Sequence, residues 1–554
     1  MATEITSDNL IPIETCFRLK AGPGAGKTYW LINHVKNVIA NADLGKKGKV
    51  ACITYSNIGV ETIQNRLGQS DKVDVLTIHS FLYCNIVKPY FYLIAEKFGF
   101  SLEKFTGVID DYVMDDYPTM QSAQKISNTR HIDSACWSQY LKNLRWTFNK
   151  DQLECRPFKP IYISATGKHY GLPILARTYK SIAWANGIMH YDDVLYFAYM
   201  LIEEYPWITK MLAVIYPYIF IDEYQDTNPI QSKIIEKIGK KGAVIGIIGD
   251  VAQSIYSFTG ASPKNFTDFS HPDLQEFEIK KNRRSVNSII KFLNNLRVDL
   301  TQESVRNEEG NLVQFLIGLQ DKAFSYVQET LQLDVLVLSY SNIETSSLRY
   351  KFLEKRGESE AAKIDDINDS NRERKKIIGY LIKAIEHARQ GKFKASFNYL
   401  ANIGFDSTKA LSVLHLLMSD KELDKTTISE LAAKLKLWGI DIVVPTRGTV
   451  KKEYDSYTYG QLAQSISIED DDGKQRTIHK AKGDEFENVL VLMGEKFDPK
   501  TFLKFNLTSN SDANRVYYVA MSRAKDRLFV NLPALSRELE QYFTDEWGIN
   551  IIHL

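Results

Sequence analysis

Two short stretches of this 554-residue chain carry side chains that together could split a nucleoside triphosphate. The first is Ala21-Gly22-Pro23-Gly24-Ala25-Gly26-Lys27-Thr28, a small-residue turn between an apolar alternation at Phe17 and Leu19 and a helical pattern. Residues this small let backbone N–H groups wrap phosphate oxygens, and the helix that follows adds its positive end. Lys27 would neutralise the β- and γ-phosphates, and Thr28 would ligate Mg²⁺. The second stretch is Ile219-Phe220-Ile221-Asp222-Glu223, an apolar run that ends in two acids. At a strand end, Asp222 would hold Mg²⁺ through water and Glu223 would act as general base for the attacking water. Either stretch alone has a plainer reading, a turn that binds nothing or a solvated strand end. Together they point to an ATPase that uses ATP and Mg²⁺.

These side chains need a scaffold that brings distant segments together. Leu31, Val35, Val38 and Ile39 fall on one helical face directly after the small-residue turn. Val50 to Tyr55, Ile219 to Ile221 and Ala243 to Ile248 are continuous apolar runs. Such runs alternating with helical patterns predict a parallel sheet covered on both faces. From about 88 to 187 the texture turns aromatic and basic, and over 141–160 Lys142, Arg145, Lys150, Arg156 and Lys159 face only Asp151 and Glu154. A second strand-rich unit starts near Leu333 with the run 335–339, and it is broken by the charged stretch Arg356 to Lys376. Ile378, Leu381, Ile382 and Ile385 then make a helical stripe, and Thr427 with Glu430 is a capping box ahead of Leu431, Leu435 and Trp438. Strand character returns at Val489 to Met493 and Leu528 to Asn531. The expectation is two α/β units, each carrying an insertion.

Composition narrows the partners. Lys and Arg number 69 against 68 Asp and Glu, a formal charge of +1. That excludes a histone-like basic binder but leaves room for a local basic groove. The five cysteines show no C-x-x-C spacing, so neither a disulfide framework nor a thiolate zinc site is indicated. The opening residues carry no basic and apolar leader pattern, and the apolar stretch Met211 to Ile221 is too short to span a bilayer. The expectation is a soluble, cytoplasmic protein without a membrane partner.

With the two phosphate-handling stretches in place, the remaining motifs resemble the superfamily 1A DNA helicases of the UvrD, Rep and PcrA type. AGPGAGKT (21–28) is similar to the family's AGxGxGKT, TYSN (54–57) to TFTN, and TIHSF (77–81) to the motif after it. DEYQD (222–226), GDVAQSIYSFTGA (249–261), NRRS (282–285), TIHKAKGDEF (477–486) and RVYYVAMSRAK (515–525) follow in the family's order. The resemblance implies an α/β fold of two RecA-like P-loop motor domains, 1A (1–87 and 188–285) and 2A (286–355 and 462–554). It further implies mainly helical insertions, 1B (88–187) and 2B (356–461).

It also implies roles. Gln253 would sense the γ-phosphate, and Arg284 and Arg523, on the far side of a cleft, would act as arginine fingers on the transferred phosphoryl group. Glu485 and Arg283 would contact the nucleotide. Tyr55, Tyr256 and Phe258 stand where the family stacks bases, a grip independent of sequence because every base has a π-face. Thr54, Asn57, His79, Ser80, Thr477 and His479 would contact the DNA strand.

Several residues depart from the family pattern. No Gln precedes the P-loop, Arg283 replaces a Tyr that stacks on adenine, Thr259 replaces an Arg, Phe258 a Trp, and Asp484 a Leu. The compact build, with a short second insertion, resembles the helicase subunits of Gabija-type anti-phage systems, which work beside an OLD-family nuclease. The implied function is 3′-to-5′ movement on single-stranded DNA and single-strand/duplex junctions. Two alternatives stay open: a DNA-stimulated ATPase that senses ends and licenses a nuclease or other defence or repair partner, and a nucleotide-binding scaffold.

Overall fold

The computed structural model describes residues 2–68, 70–109, 121–122, 125–126, 141, 143–158, 173–353, 360–369, 371–437, 444–445, 447–466, 468, 474–494, 497–505 and 512–554. Lys142, Lys159, Arg356 and Trp438 lie outside the described residues. The chain forms two compact units, Met1–Glu308 with Phe505–Ser522 and Glu309–Lys504 with Arg523–Leu554.

The first unit is built on seven strands: β1 (Thr3–Glu4), β2 (Phe17–Ala21), β3 (Val50–Thr54), β4 (Val73–Thr77), β5 (Tyr218–Ile221), β6 (Val244–Gly249) and β7 (Gln275–Ile279). Their order is β1-β7-β2-β6-β5-β3-β4, and every pairing is parallel. The apolar runs are continuous because both faces are covered. Val50, Cys52 and Phe220 pack with Trp30, Leu31, Val35 and Val38 of the helix Lys27–Asn41 on one face. Ala51, Ile53, Ile219, Ile221, Ile245 and Ile247 pack with Leu195, Ile234 and Ile235 on the other. In a parallel sheet all strands leave by one edge, so β2, β3, β4, β5 and β6 deliver their following loops side by side.

The basic region without a clear period contains an antiparallel hairpin, Leu144–Asn149 with Gln152–Pro157, whose Leu144, Trp146 and Cys155 enter the core of the first unit. Lys150 sits at its turn with φ 55°, a left-handed conformation uncommon for a residue with a side chain. The first unit also runs past the expected boundary at 285 to Glu308 and includes Phe505–Ser522. No break falls at 285 because Asn282 and Gln302 both reach back to the carbonyl of Pro23 in the P-loop.

The second unit has a six-stranded parallel sheet: β8 (Gln314–Ile317), β9 (Leu336–Ser339), β10 (Gln475–Thr477), β11 (Phe486–Leu492), β12 (Ala524–Leu532) and β13 (Asn550–His553). Its order is β10-β9-β11-β12-β8-β13. Between β9 and β10 lies a helical cluster with its own core, where Ile378, Leu381, Ile382 and Ile385 of the helix Arg372–Arg389 meet Leu400, Val413, Leu417 and Leu431. The capping box forms as its spacing predicts: Thr427 N donates to Glu430 Oε2 at 2.8 Å, and Glu430 N to Thr427 Oγ1 at 3.3 Å.

Candidate active site

The P-loop is the turn between β2 and the helix Lys27–Asn41. Gly24 and Gly26 hold φ of 71° and 80°, which only glycine adopts without strain. A Cβ on Gly24 would meet Asn282 Oδ1 at 2.5 Å and Arg284 Cβ at 2.7 Å, and one on Gly22 would meet Gln302 Nε2 at 2.6 Å. Asn282 is the keystone of this packing. Its Nδ2 donates to Pro23 O at 3.1 Å, while its Oδ1 accepts from the N–H groups of Arg284 (2.8 Å) and Ser285 (3.1 Å). Gln302 Nε2 donates to the same Pro23 carbonyl at 2.9 Å, and Arg283 N donates to Gly24 O at 2.9 Å. The carbonyls of Pro23 and Gly24 are thus taken up by these donors, while the Ala25 N–H closes the turn on Gly22 O at 3.3 Å.

Strand β5 ends beside this loop, one strand removed across β6. Thr28 Oγ1 donates to Asp222 Oδ2 at 3.1 Å. Lys27 is buried, and its Nζ has no hydrogen-bond partner; the Glu223 carboxylate lies 3.4 Å away. A buried ammonium so placed fits a phosphate oxygen as the missing acceptor. Burial, and then the Glu223 charge, push the Asp222 carboxyl up, while Lys27 and Thr28 pull it back. A carboxylate and a hydroxyl supply two hard oxygens, which suits Mg²⁺ with the remaining positions left to phosphate and water. Among the described residues no group of three or more His, Cys, Asp or Glu could hold a metal ion alone, and such a shared site needs none.

Glu223 has φ 56°, a conformation that costs about 1–3 kcal/mol for a residue with a side chain. Gln225, which the motif contained but sequence reasoning left without a role, holds it there. Gln225 Nε2 donates to Glu223 Oε2, and its Oε1 accepts from Asp250 N at 3.0 Å. Gln253 in turn donates through Nε2 to Asp250 Oδ2 at 2.8 Å. Glu223 and Gln253 are thus held by one hydrogen-bonded chain at the ends of β5 and β6.

Arg284 lies in the unit that holds the P-loop, as the expected bounds of 1A place it. It belongs to the first unit, where its NH1 donates to Ser522 O at 2.9 Å. Asn282, two residues away, accepts from the Arg284 N–H and donates to Pro23 O, and so clamps this backbone onto the P-loop. Arg283 donates from Nε to Ser7 Oγ at 2.9 Å and ion-pairs with Asp8. Ser7 and Asp8, unnoticed in the sequence, therefore occupy the P-loop flank; Ser7 Cβ would sit 3.2 Å from a Cβ on Gly26.

The expected DNA-contacting residues of the first unit gather at the same sheet edge. Tyr55 stacks on Tyr256 with ring centroids 4.7 Å apart, and Tyr55 OH pairs with Thr259 Oγ1 at 3.0 Å. Phe258 lies 6.0 Å from Tyr256 and is 46% exposed. His79 stacks on Tyr191, and burial lowers its pKa to about 4, so the ring is neutral. Tyr55, His79, Tyr191 and Thr259 line a cavity of about 290 Å³, together with Arg145, Asp192 and Asn228. Asn57 is exposed, Ser80 is half-buried and accepts from Thr77 Oγ1 at 2.9 Å, and Thr54 is buried.

Thr477, His479, Glu485 and Arg523 belong to the second unit. Thr477 ends β10, and the His479 ring sits edge-on to Tyr340 at 6.2 Å. Glu485 is 3.5 Å from Lys525, and Arg523 NH1 donates to Asp484 O at 3.3 Å. Asp484, where the family has Leu, pairs with Arg476 at 3.1 Å.

A model of the UvrD/REP helicase N-terminal domain matches residues 4–273, and one of the UvrD-like helicase C-terminal domain matches residues 461–533. The chain belongs to the UvrD/Rep helicase family. The enzyme class that goes with that family is the ATP-hydrolysing helicase. Among its relatives, the Gabija protein GajB of Bacillus cereus is 26% identical over 522 residues, covering 81% of this chain and 70% of the relative. The ATP-dependent DNA helicase Rep of Escherichia coli is 26% identical over 292 residues, covering 50% of this chain and 40% of Rep. PcrA of Staphylococcus aureus is 24% identical over 288 residues, covering 50% of this chain and 37% of PcrA. The UvrD/Rep chain described here therefore spans most of the Gabija relative but less than half of these two helicases.

Proposed function

We propose that this chain is an ATP-dependent translocase on single-stranded DNA that moves 3′ to 5′, with motor domains 1A and 2A and insertions 1B (88–187) and 2B (356–461). The observation that carries the reading is the sharing of one sheet edge by Lys27, Glu223 and Gln253 with the aromatic group Tyr55, Tyr256 and Phe258. A change at the γ-phosphate sensor reaches the bases through residues 253–258, a few residues of one segment.

Lys27 would neutralise the triphosphate, Glu223 would accept the proton of the attacking water, and Gln253 would report the γ-phosphate. Thr28 and Asp222 would hold Mg²⁺, which when bound supplies charge neutralisation between the β- and γ-phosphates. Arg284 and Arg523 would stabilise the charge that spreads over the transferred group.

The likeness to a Gabija protein supports a place in an anti-phage defence complex beside a nuclease. A second reading, a DNA-stimulated ATPase that licenses such a partner without processive unwinding, is favoured by Thr259. There the family has an Arg, and here a hydroxyl is spent on Tyr55. Strand displacement on duplexes with 3′ or 5′ tails, together with single-strand-stimulated ATP hydrolysis, tests both. Unwinding from 3′ tails supports the motor; stimulated hydrolysis without displacement supports the sensor; neither activity overturns the proposal.

A further inference from the structure

Arg297 has a fully buried side chain, and each of its five N–H donors has an acceptor. NH1 donates to Asp250 Oδ2 (3.1 Å) and Tyr518 OH (3.1 Å), NH2 to Asp250 Oδ1 (3.0 Å) and Asp299 Oδ2 (3.0 Å), and Nε to Asp299 Oδ1 (3.0 Å). A guanidinium is removed from water at high cost, and a buried ion pair is often no more stabilising than apolar residues of the same volume. What such an arrangement does supply is fixed geometry, because the planar fork accepts two carboxylates in only one orientation.

The geometry at stake is that of hydrolysis. Asp250, gripped by Arg297, accepts from Gln253 Nε2 on Oδ2 and from Ala252 N on Oδ1 (3.1 Å), and its own N–H donates to Gln225, the residue that holds Glu223. Asp299, gripped on the other side, pairs with Lys20 at 2.8 Å on β2, one residue before the P-loop stretch. Tyr518 belongs to the helix Ala513–Met521, which is tied to the same segment where Arg515 Nε donates to Ser254 O at 2.6 Å.

We propose that Arg297 is a positioning residue for ATP hydrolysis: by fixing Asp250 against Asp299 and Tyr518, it sets the direction in which Gln253 and Glu223 present their side chains to the γ-phosphate. The inference rests on the motor reading above. It requires that Arg297 act through Asp250 and not on nucleotide itself, so its loss changes turnover more than binding.

The test uses the full chain with Arg297→Lys, which keeps the charge and loses the fork, and Tyr518→Phe, which removes one acceptor. Single-strand-stimulated kcat should fall about 10- to 100-fold in Arg297→Lys, while KM for ATP and the affinity for a fluorescent ATP analogue change less than about threefold. Amide hydrogen exchange across residues 250–256 of the nucleotide-free protein should accelerate. In a Gln253→Ala background Arg297→Lys should add little, because both act on one arrangement. A purely structural Arg297 would instead lower the urea midpoint, and its effect would multiply with that of Gln253→Ala. If Arg297→Lys does not fold, Tyr518→Phe decides: a kcat within twofold of wild type and unchanged exchange overturn the proposal. Wild-type protein without DNA-stimulated hydrolysis would overturn the motor reading and this inference together, whereas an active wild type beside an equally active Arg297→Lys overturns the inference alone.

Discussion

Lys27 Nζ faces Glu223 Oε1 across 3.4 Å, so the cation proposed to bind phosphate and the carboxylate proposed as general base neutralise each other at the sheet edge. A γ-phosphate would draw Lys27 away and leave the Glu223 carboxylate to the attacking water. Lys27→Ala should therefore abolish both nucleotide binding and turnover. Glu223→Gln should lower DNA-stimulated hydrolysis by about 10²- to 10⁴-fold and retain nucleotide binding, because the cradle is intact while the base is lost. Steady-state hydrolysis and fluorescent-nucleotide titration of both variants check this; normal turnover in Glu223→Gln would remove its assignment as base.

Nucleotide choice should be loose. No Gln precedes the P-loop, and the residue in place of the adenine-stacking Tyr, Arg283, is engaged by Ser7 and Asp8. GTP and ATP turnover, compared at saturating single-stranded DNA, should differ by less than about a hundredfold, or about 2.7 kcal/mol. A larger preference for ATP would mean that another residue reads the base.

The three aromatic residues should separate by role. Tyr55 and Tyr256 stack on each other, whereas Phe258 presents nearly half its surface to solvent. Phe258→Ala should leave the urea midpoint and the salt dependence of DNA binding nearly unchanged. It should reduce DNA affinity by about 1–3 kcal/mol and slow translocation, since one base stack is lost. Neutralising Arg145 and Lys150 should weaken binding as well but flatten its salt dependence, because fewer counterions are released. Wild-type translocation in Phe258→Ala would sink the stacking assignment.

His34 should make the first unit sensitive to acid. Its ring stacks on Trp30 at 4.9 Å, both ring nitrogens are buried without hydrogen-bond partners, and burial lowers its pKa from 6.5 to about 4. The unfolded chain takes up the proton first as pH falls. The stability contribution is therefore complete above pH 6.5 and is lost progressively between 6.5 and 4. The loss amounts to about 2 kcal/mol at pH 5. His34→Phe, with a ring of similar size and no proton to gain, should open a widening advantage in urea midpoint over wild type from pH 7.5 to 5. A difference that does not change with pH would show that the His34 ring is not held neutral.

Much of the site was legible because its chemistry is written in contiguous segments. The P-loop, the Asp222–Glu223 pair and the segment from Asp250 to Phe258 each combine a strand end with the side chains it delivers. Continuous apolar runs announced a parallel sheet covered on both faces, and the sheet then aligned those segments at one edge. The hairpin at Leu144–Pro157 was less legible, because its buried side chains are interleaved with charged ones in a basic stretch.

What the sequence could not disclose were pairings between segments with no common period. Arg297 stands in Asn294-Asn295-Leu296-Arg297-Val298-Asp299, a stretch with no motif or period to mark it. Only the fold brings Asp250 and Tyr518 to it and makes it a buried hub. In the same way nothing near Arg284 in the chain shows that Asn282 and Gln302 bind its segment to Pro23. Motif order by itself determined the family and named the candidate residues for the chemistry, because local side-chain types set both. Tertiary structure alone decided which groups orient them, because a hydrogen bond between residues 47 or 221 positions apart is set by how the sheet and helices pack, not by anything near either residue in the chain.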